Sequence, residues 1–271
     1  MMDKKTIGII GCGVIGSALA EYAQKDLKDK IGKIVLYDVD PEKSASLVKK
    51  LSGAMVAGGI DEVAAESDLA IEAATPKIVG EVLQAVVSRK KDIMIMSVGG
   101  LLGNEDAIET ARSSGVKVLV PSGAIAGIDA IKAAQKAGIE SVTITTRKAP
   151  KSIKGAPYLL EKSIDVDKIE KETVIFEGNA LEAVKGFPKN INVSALLSIA
   201  GIGPEKTRVR IVVSPEYTRN THEVEVVGKS GRIATRTENV PSPTNPKTSY
   251  LAALAAIESL SGYFDSVRIG T

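Results

Sequence analysis

The chain has 271 residues, of which 44% are hydrophobic and 25% charged, and its net charge is +2. This is the composition of a soluble globular protein, long enough to bury one large core or two ordinary ones without staples. Aromatic residues make up 3%, Trp is absent and no stretch is strongly basic, which argues against nucleic-acid recognition. One cysteine (Cys12) and one histidine (His222) allow no internal disulfide and no zinc centre, so no metal is expected.

The opening MMDKK followed by TIGIIGCGVIGSALA imitates a secretory leader. Its glycines, however, sit at spacings that serve another purpose. Residues 6–10 read as a short buried strand, followed by the turn Gly11-x-Gly13-x-x-Gly16 and a helix. Gly11 permits the tight turn, Gly13 lets the backbone approach a pyrophosphate, and Gly16 lets helix and strand pack closely. Phosphates then sit on the helix N-terminus, where unpaired N–H groups and the dipole favour negative charge. Gly11, Gly13, Val14, Ile15 and Gly16 are the expected cofactor-binding residues of this turn. A second strand, residues 33–38, ends in Asp38, about 20 residues beyond the last glycine, where an acid hydrogen-bonds an adenosine ribose. Asp38 would repel a 2′-phosphate, so NAD is favoured and NADP remains possible. No other apolar run approaches the ~20 residues of a membrane span, and a soluble cytoplasmic protein is the expectation.

Further alternation follows. DPEKSASLVKKLSG opens as a helix at Asp40 and Pro41 and stops at Gly53, residues 68–74 form a buried strand, and TPKIVGEVLQAVVSRKK forms a helix capped by Thr75. DIMIMS is a strand, NEDAIETARSSG a helix with acids in its first turn, and residues 116–122 a strand. Strands alternating with helices imply a doubly wound parallel sheet of Rossmann type, with ligands at the strands' carboxyl ends. The small-residue segments 73–76, which holds Ala74, 97–100 and 121–127 fall at those ends.

Beyond Lys148 the pattern changes. RKAPKSIKGAPYL is an irregular connection, TVIFEG a strand, NALEAVKGF a helix, and residues 190–203 a buried helix. TRVRIVVSP and THEVEVVGKSGRIATRTENV alternate with period two, as half-buried antiparallel strands do, with GKSGR as a hairpin turn. VPSPTNPKTS reads as a Pro-rich linker into a last amphipathic helix over 248–260. The expected architecture is a nucleotide domain over 1–123, an α+β domain with a largely antiparallel sheet over 124–245, and a C-terminal segment 246–271 whose helix folds back on the first domain. A sheet exposed on one face makes a homodimer plausible.

Four later stretches, VPSGAIAGIDAI (120–131), FEGNALEAVKGFPKNINVSA (176–195), RNTHEVEV (219–226) and NVPSPTNPKTSYLAALAAI (239–257), together resemble the L-aspartate dehydrogenases of archaea and bacteria. With the glycine turn, the resemblance covers essentially the whole chain in order. It implies oxidation of L-aspartate to iminoaspartate with NAD or NADP, in a reversible reaction that can feed nicotinamide cofactor synthesis. It implies that His222 is the active-site histidine, that Ala124 lies against the nicotinamide, and that an asparagine of the FPxNINV segment touches the cofactor. Asn190 and Asn192 are the two candidates, with Asn192 preferred. Ser122, Lys148 and Lys247 lie in matching motifs as candidate donors to the substrate carboxylates. An unperturbed imidazole, with a pKa of about 6.5, suits a general base near neutral pH. Where family members carry KPP this chain has Lys148-Ala149-Pro150, and where they carry SVGAL it has Ser97 to Leu101 as SVGGL. Both changes bear on loop geometry. A reductase of homoserine dehydrogenase or dihydrodipicolinate reductase type shares this architecture but leans on lysines for chemistry. A non-catalytic NAD-binding protein is the remaining alternative.

Overall fold

The structure is a computed structural model that describes residues 4–188, 192–243 and 245–270, with residues 245–247 described in backbone only. The chain divides into two compact units, Met1–Pro121 with Ala253–Arg268, and Ser122–Ala252 with Ile269–Thr271.

In the first unit, strands and helices alternate as β1 (Lys5–Ile10), α1 (Val14–Asp26), β2 (Ile31–Tyr37), α2 (Pro41–Val48), β3 (Ala54–Val56), α3 (Ile60–Glu66), β4 (Leu69–Glu72), α4 (Val79–Val87), β5 (Asp92–Ile95), α5 (Glu105–Ser113) and β6 (Val118–Leu119). The sheet order is β3-β2-β1-β4-β5-β6, and every pairing is parallel. This is the dinucleotide-binding order, in which the winding direction reverses between β1 and β4 and leaves a crevice at their carboxyl ends. Strands covered on both faces read as unbroken apolar runs, and Ile7, Ile9, Leu69, Ile71 and Met94 are wholly buried.

Local details depart from the sequence reading. Thr75 supplies no side-chain cap; Pro76–Ile78 form a 3₁₀ turn, and α4 starts only at Val79. The β5 loop packs closely on this turn, since a Cβ on Gly100 would lie 2.4 Å from the Pro76 carbonyl. Helix α2 stops at Val48, well short of Gly53. Strand β6 is only Val118–Leu119.

In the second unit come α6 (Ile128–Gln135), β7 (Ile139–Lys148), α7 (Pro157–Glu161), β8 (Thr173–Asn179), α8 (Ala180–Gly186), α9 (Asn192–Ala200), β9 (Thr207–Val213), β10 (Asn220–Gly228), β11 (Gly231–Asn239), β12 (Pro241–Ser242) and β13 (Asn245–Ser249), before α10 (Tyr250–Phe264). Five strands form a sheet ordered β11-β10-β7-β9-β8, antiparallel except for the β7–β9 pair. The parallel pair is possible because β8, α8 and α9 supply the long crossover that such a pair needs. Helix α8 opens with a full capping box. The Asn179 side chain accepts from Glu182 N and the Glu182 side chain accepts from Asn179 N, each at 2.9 Å.

Two elements correct the sequence reading. Strand β7, the centre of this sheet, lies where no strand was expected. The segment taken as a Pro-rich linker instead carries the antiparallel pair β12–β13. Among the described residues no helix is long and apolar enough to cross a membrane.

Candidate active site

The carboxyl edge of the first sheet is built around the glycine turn. Gly11 has φ +100°, and a Cβ there would lie 2.6 Å from the Ala73 carbonyl oxygen, so the loops after β1 and β4 meet with no room for a side chain. A Cβ on Gly16 would lie 1.9 Å from the Gly11 carbonyl oxygen. Gly13 differs: nothing lies within 4 Å of the position its Cβ would take. It is also the N-cap of α1, with no side-chain cap bond and no acid in the first turn. Its side-chain-free face therefore opens over N–H groups that no side chain caps, where a pyrophosphate fits. Val14 and Ile15 begin that helix.

Asp38 follows β2 with a side chain 9% exposed. Its Oδ2 accepts from Cys12 N at 2.7 Å and its Oδ1 from Asp40 N at 2.9 Å, so it also pins the glycine turn. Each oxygen keeps a second lone pair for a ribose hydroxyl. Burial, then the Asp38 charge, pushes the Cys12 thiol up to about 12, which leaves it inert at neutral pH. Ala74 sits in the loop after β4, its N–H donating to the Glu72 carboxylate at 2.8 Å.

The second unit holds the histidine. In β10 the period of two sends His222, Val224 and Val226 to the buried face, and Glu223 and Glu225 to the other. On β7 the matching face carries Val142, Ile144, Thr146 and Lys148. That face is apolar along most of its length and polar at one end, where Thr146, Lys148 and His222 lie. His222 pairs directly with Thr146 on one side and Thr237 on the other. Its Nδ1 is 2.9 Å from Thr146 Oγ1. The opposite face carries a surface ion-pair network in which Glu223 binds Arg147 and Arg236.

His222 is 2% exposed and Lys148 8%. Burial, then the charge of Lys148, lowers the imidazole pKa to about 3, so the ring is neutral across the physiological range. The ordinary value near 6.5 assumed for a base is thereby corrected, because water is excluded and a cation lies near. Burial alone lowers Lys148 to about 8, and among the described residues no carboxylate pairs with it.

The Ala124 loop is fastened to the same strands. Thr237 Oγ1 donates to the Ala124 carbonyl at 2.8 Å, and Asn239 Nδ2 donates to it at 3.1 Å. Thr237 is the register partner of His222, so the structure brings Ala124 and His222 to one end of one sheet. Gly123 and Gly127, at φ +64° and +86°, bend the loop. Val193, adjacent in α9 to Asn192, lies 3.9 Å from a Cβ placed on Gly123, which sets the start of α9 beside this loop. Ser122 is half-buried just before the loop and does not cap α6, whose N-cap is Gly127. Asn190 and the side chain of Lys247 lie outside the described residues.

Two family models match the chain: "Homoserine dehydrogenase, NAD binding domain" over residues 11–121 and "Aspartate dehydrogenase, C-terminal" over residues 129–263. The L-aspartate dehydrogenase of Methanosarcina mazei is 44% identical over 269 residues, covering 98% of this chain and 99% of the relative. The chain belongs to the L-aspartate dehydrogenase family. The family's enzyme from Methanococcoides burtonii is 43% identical over 98% of this chain and 99% of its own length. A crystal structure of aspartate dehydrogenase from Thermotoga maritima covers 99% of this chain and 100% of its own, with TM-score 0.78 and 26% identity. Like other L-aspartate dehydrogenases, this protein is a nicotinamide-dependent dehydrogenase, and the uncapped α1 N-terminus under Gly13 fits that cofactor.

Sequence reasoning missed three residues that hold the loops and the imidazole of these sites in place. Thr146 orients the imidazole, Asn239 holds the Ala124 carbonyl, and Glu72 lies wholly buried at the end of β4. The first became visible only with the β7–β10 register. Asn239 stood inside a quoted motif with no signal separating it from its neighbours. Glu72 could have been found, as the one acid in the apolar run LAIEAA that follows Asp68.

Proposed function

We propose that the protein oxidises L-aspartate to iminoaspartate, reversibly, with NAD as cofactor and NADP admitted less well. The observation that carries this reading is the buried polar end of the second sheet, where a neutral imidazole and a buried lysine share one face beside the Ala124 loop. Residues 1–123 serve the nucleotide, residues 124–245 the substrate, and the last helix, in 246–271, closes on the first domain. Gly11, Gly13, Val14, Ile15, Gly16, Asp38 and Ala74 line the nucleotide side. Ala124 and an asparagine at the start of α9, Asn192 or Asn190, meet the nicotinamide. Lys148 carries a buried positive charge that lacks a counter-ion among the described residues, and a substrate carboxylate would supply one. Ser122 and Lys247 are further carboxylate donors.

The bound nicotinamide supplies the hydride acceptor. The protein must then receive the proton of the substrate ammonium. For His222 Nε2 to accept it, Nδ1 carries the ring hydrogen and donates to Thr146 Oγ1. Lys148 is one of two causes of the low imidazole pKa. A carboxylate bound to Lys148 cancels that repulsion and raises the basicity of His222, so the base is strengthened only when substrate is present. The enzyme works as a cytoplasmic homodimer, and its product feeds nicotinamide cofactor synthesis.

The test is direct. Purified protein mixed with NAD and L-aspartate at alkaline pH should generate reduced cofactor, read by its absorbance. L-Homoserine is assayed in parallel, because the nucleotide half matches a model named for homoserine dehydrogenase. Turnover of homoserine and not aspartate would replace this reading with that one.

A further inference from the structure

Glu72 is 0% exposed and ends β4, facing the edge where three loops converge. Its Oε1 accepts from Ala74 N at 2.8 Å and from Ser97 Oγ at 2.8 Å, and its Oε2 accepts from Ser97 N at 2.9 Å. One acid thus satisfies donors on the loop after β4 and on the loop after β5, both beyond the reach of the sheet ladder. No lysine or arginine pairs with it among the described residues. The same loops touch the glycine turn and each other at close range. A Cβ on Gly11 would lie 2.6 Å from the Ala73 carbonyl oxygen and 2.8 Å from Ala74 N, and one on Gly100 would lie 2.4 Å from the Pro76 carbonyl oxygen. Packing alone would accept an aliphatic residue at the end of this strand. A buried carboxylate costs several kcal/mol unless its oxygens are fully occupied. Here they are occupied by the N–H and O–H groups of the ligand-facing loops.

We propose that Glu72 is a positioning residue, whose carboxylate ties the β4 and β5 loops against the glycine turn and so sets cofactor affinity without touching the cofactor. This rests on the reading of the strand carboxyl edge as the cofactor site. Burial raises the Glu72 pKa while the hydrogen bonds from Ser97 and Ala74 oppose the rise, so the acceptor oxygens are what the loops depend on. An amide in its place sets an NH₂ donor against a backbone N–H, because each of the two oxygens accepts from a backbone N–H.

Full-length Glu72→Gln and Ser97→Ala are compared with wild type by fluorescence titration of reduced cofactor without substrate, with turnover measured at saturating cofactor. Glu72→Gln should weaken cofactor binding about ten-fold or more, the worth of one charge-assisted hydrogen bond. Its kcat at saturating cofactor should stay within about three-fold of wild type, and Ser97→Ala should show a smaller shift of the same kind. A folded Glu72→Gln with unchanged affinity overturns the proposal. So does one whose kcat falls in step with affinity, since that marks general loosening. If Glu72→Gln does not fold, Ser97→Ala decides, and unchanged affinity there overturns the proposal. Absence of aspartate turnover leaves the titration intact, whereas wild type that binds no cofactor removes this proposal and the site reading together.

Discussion

His222 was legible as a residue and not as a chemical group. Its motif marked it, but the low pKa follows from burial and from Lys148, which only the folded sheet places nearby. His222→Ala should lower turnover by roughly 10²–10⁴, the usual size of general acid–base contributions, with cofactor affinity unchanged by titration. Lys148 gives a prediction in pH. Its folded value of about 8 lies below the 10.5 of the free side chain. The substrate KM should therefore rise as pH passes about 8 and the ammonium is lost. Lys148→Met should raise KM at all pH values and remove that step. The stability sign is opposite. The unfolded chain holds the proton more tightly, so the cost of burying the charge is full below about pH 8 and fades toward pH 10.5. Lys148→Met should accordingly stabilise the unliganded protein at pH 7, by up to about 3 kcal/mol at 1.36 kcal/mol per unit, as read by urea unfolding. In the role proposed for Lys148, substrate binding would supply what that mutation gains in stability.

The glycine turn shows how an element can be read from sequence while its positions still differ in kind. Gly11 and Gly16 are demanded by the fold, whereas Gly13 is left open by it. Gly16→Ala should lower both stability and cofactor affinity, because its Cβ meets the Gly11 backbone. Gly13→Ala should keep a melting temperature near wild type and weaken cofactor binding by about ten-fold or more. Equal loss of stability in the two variants would contradict the distinction. Strand β7 was overlooked for a physical reason. In IESVTITTRK the outward face carries the short Ser141, Thr143 and Thr145 before Arg147, so the contrast between faces is weak over most of the strand. Its loss from the sequence reading also hid Thr146, and with it the partner of His222. Asn239→Ala tests the link between β11 and the Ala124 loop. It should cost about 1–3 kcal/mol, since the Ala124 carbonyl and the Asn220 carbonyl each lose a donor.

At the scale of the molecule, chain order and spatial order part company. Helix α10 comes last, yet Ala256 and Leu260 are wholly buried in one cluster with Ile9, Leu19 and Ile34 of the first unit. Tyr263 donates to Asp92 at 2.8 Å, in the same unit. Leu260→Ala should therefore destabilise the first unit by about 2–5 kcal/mol, as a cavity in any core does, measured by calorimetry with and without cofactor. The sequence by itself determined what is local: the periods that assign faces to strands, the glycine spacing that turns β1 into α1, and the Asp40 cap that begins α2. These depend on backbone geometry within a few residues. Only the tertiary structure decided that β9 runs parallel to β7, that Thr146 and Thr237 flank His222, and that Glu72 answers donors on two loops. Each of those pairs residues far apart in the chain, and burial and register between distant strands arise only once the whole sheet has closed.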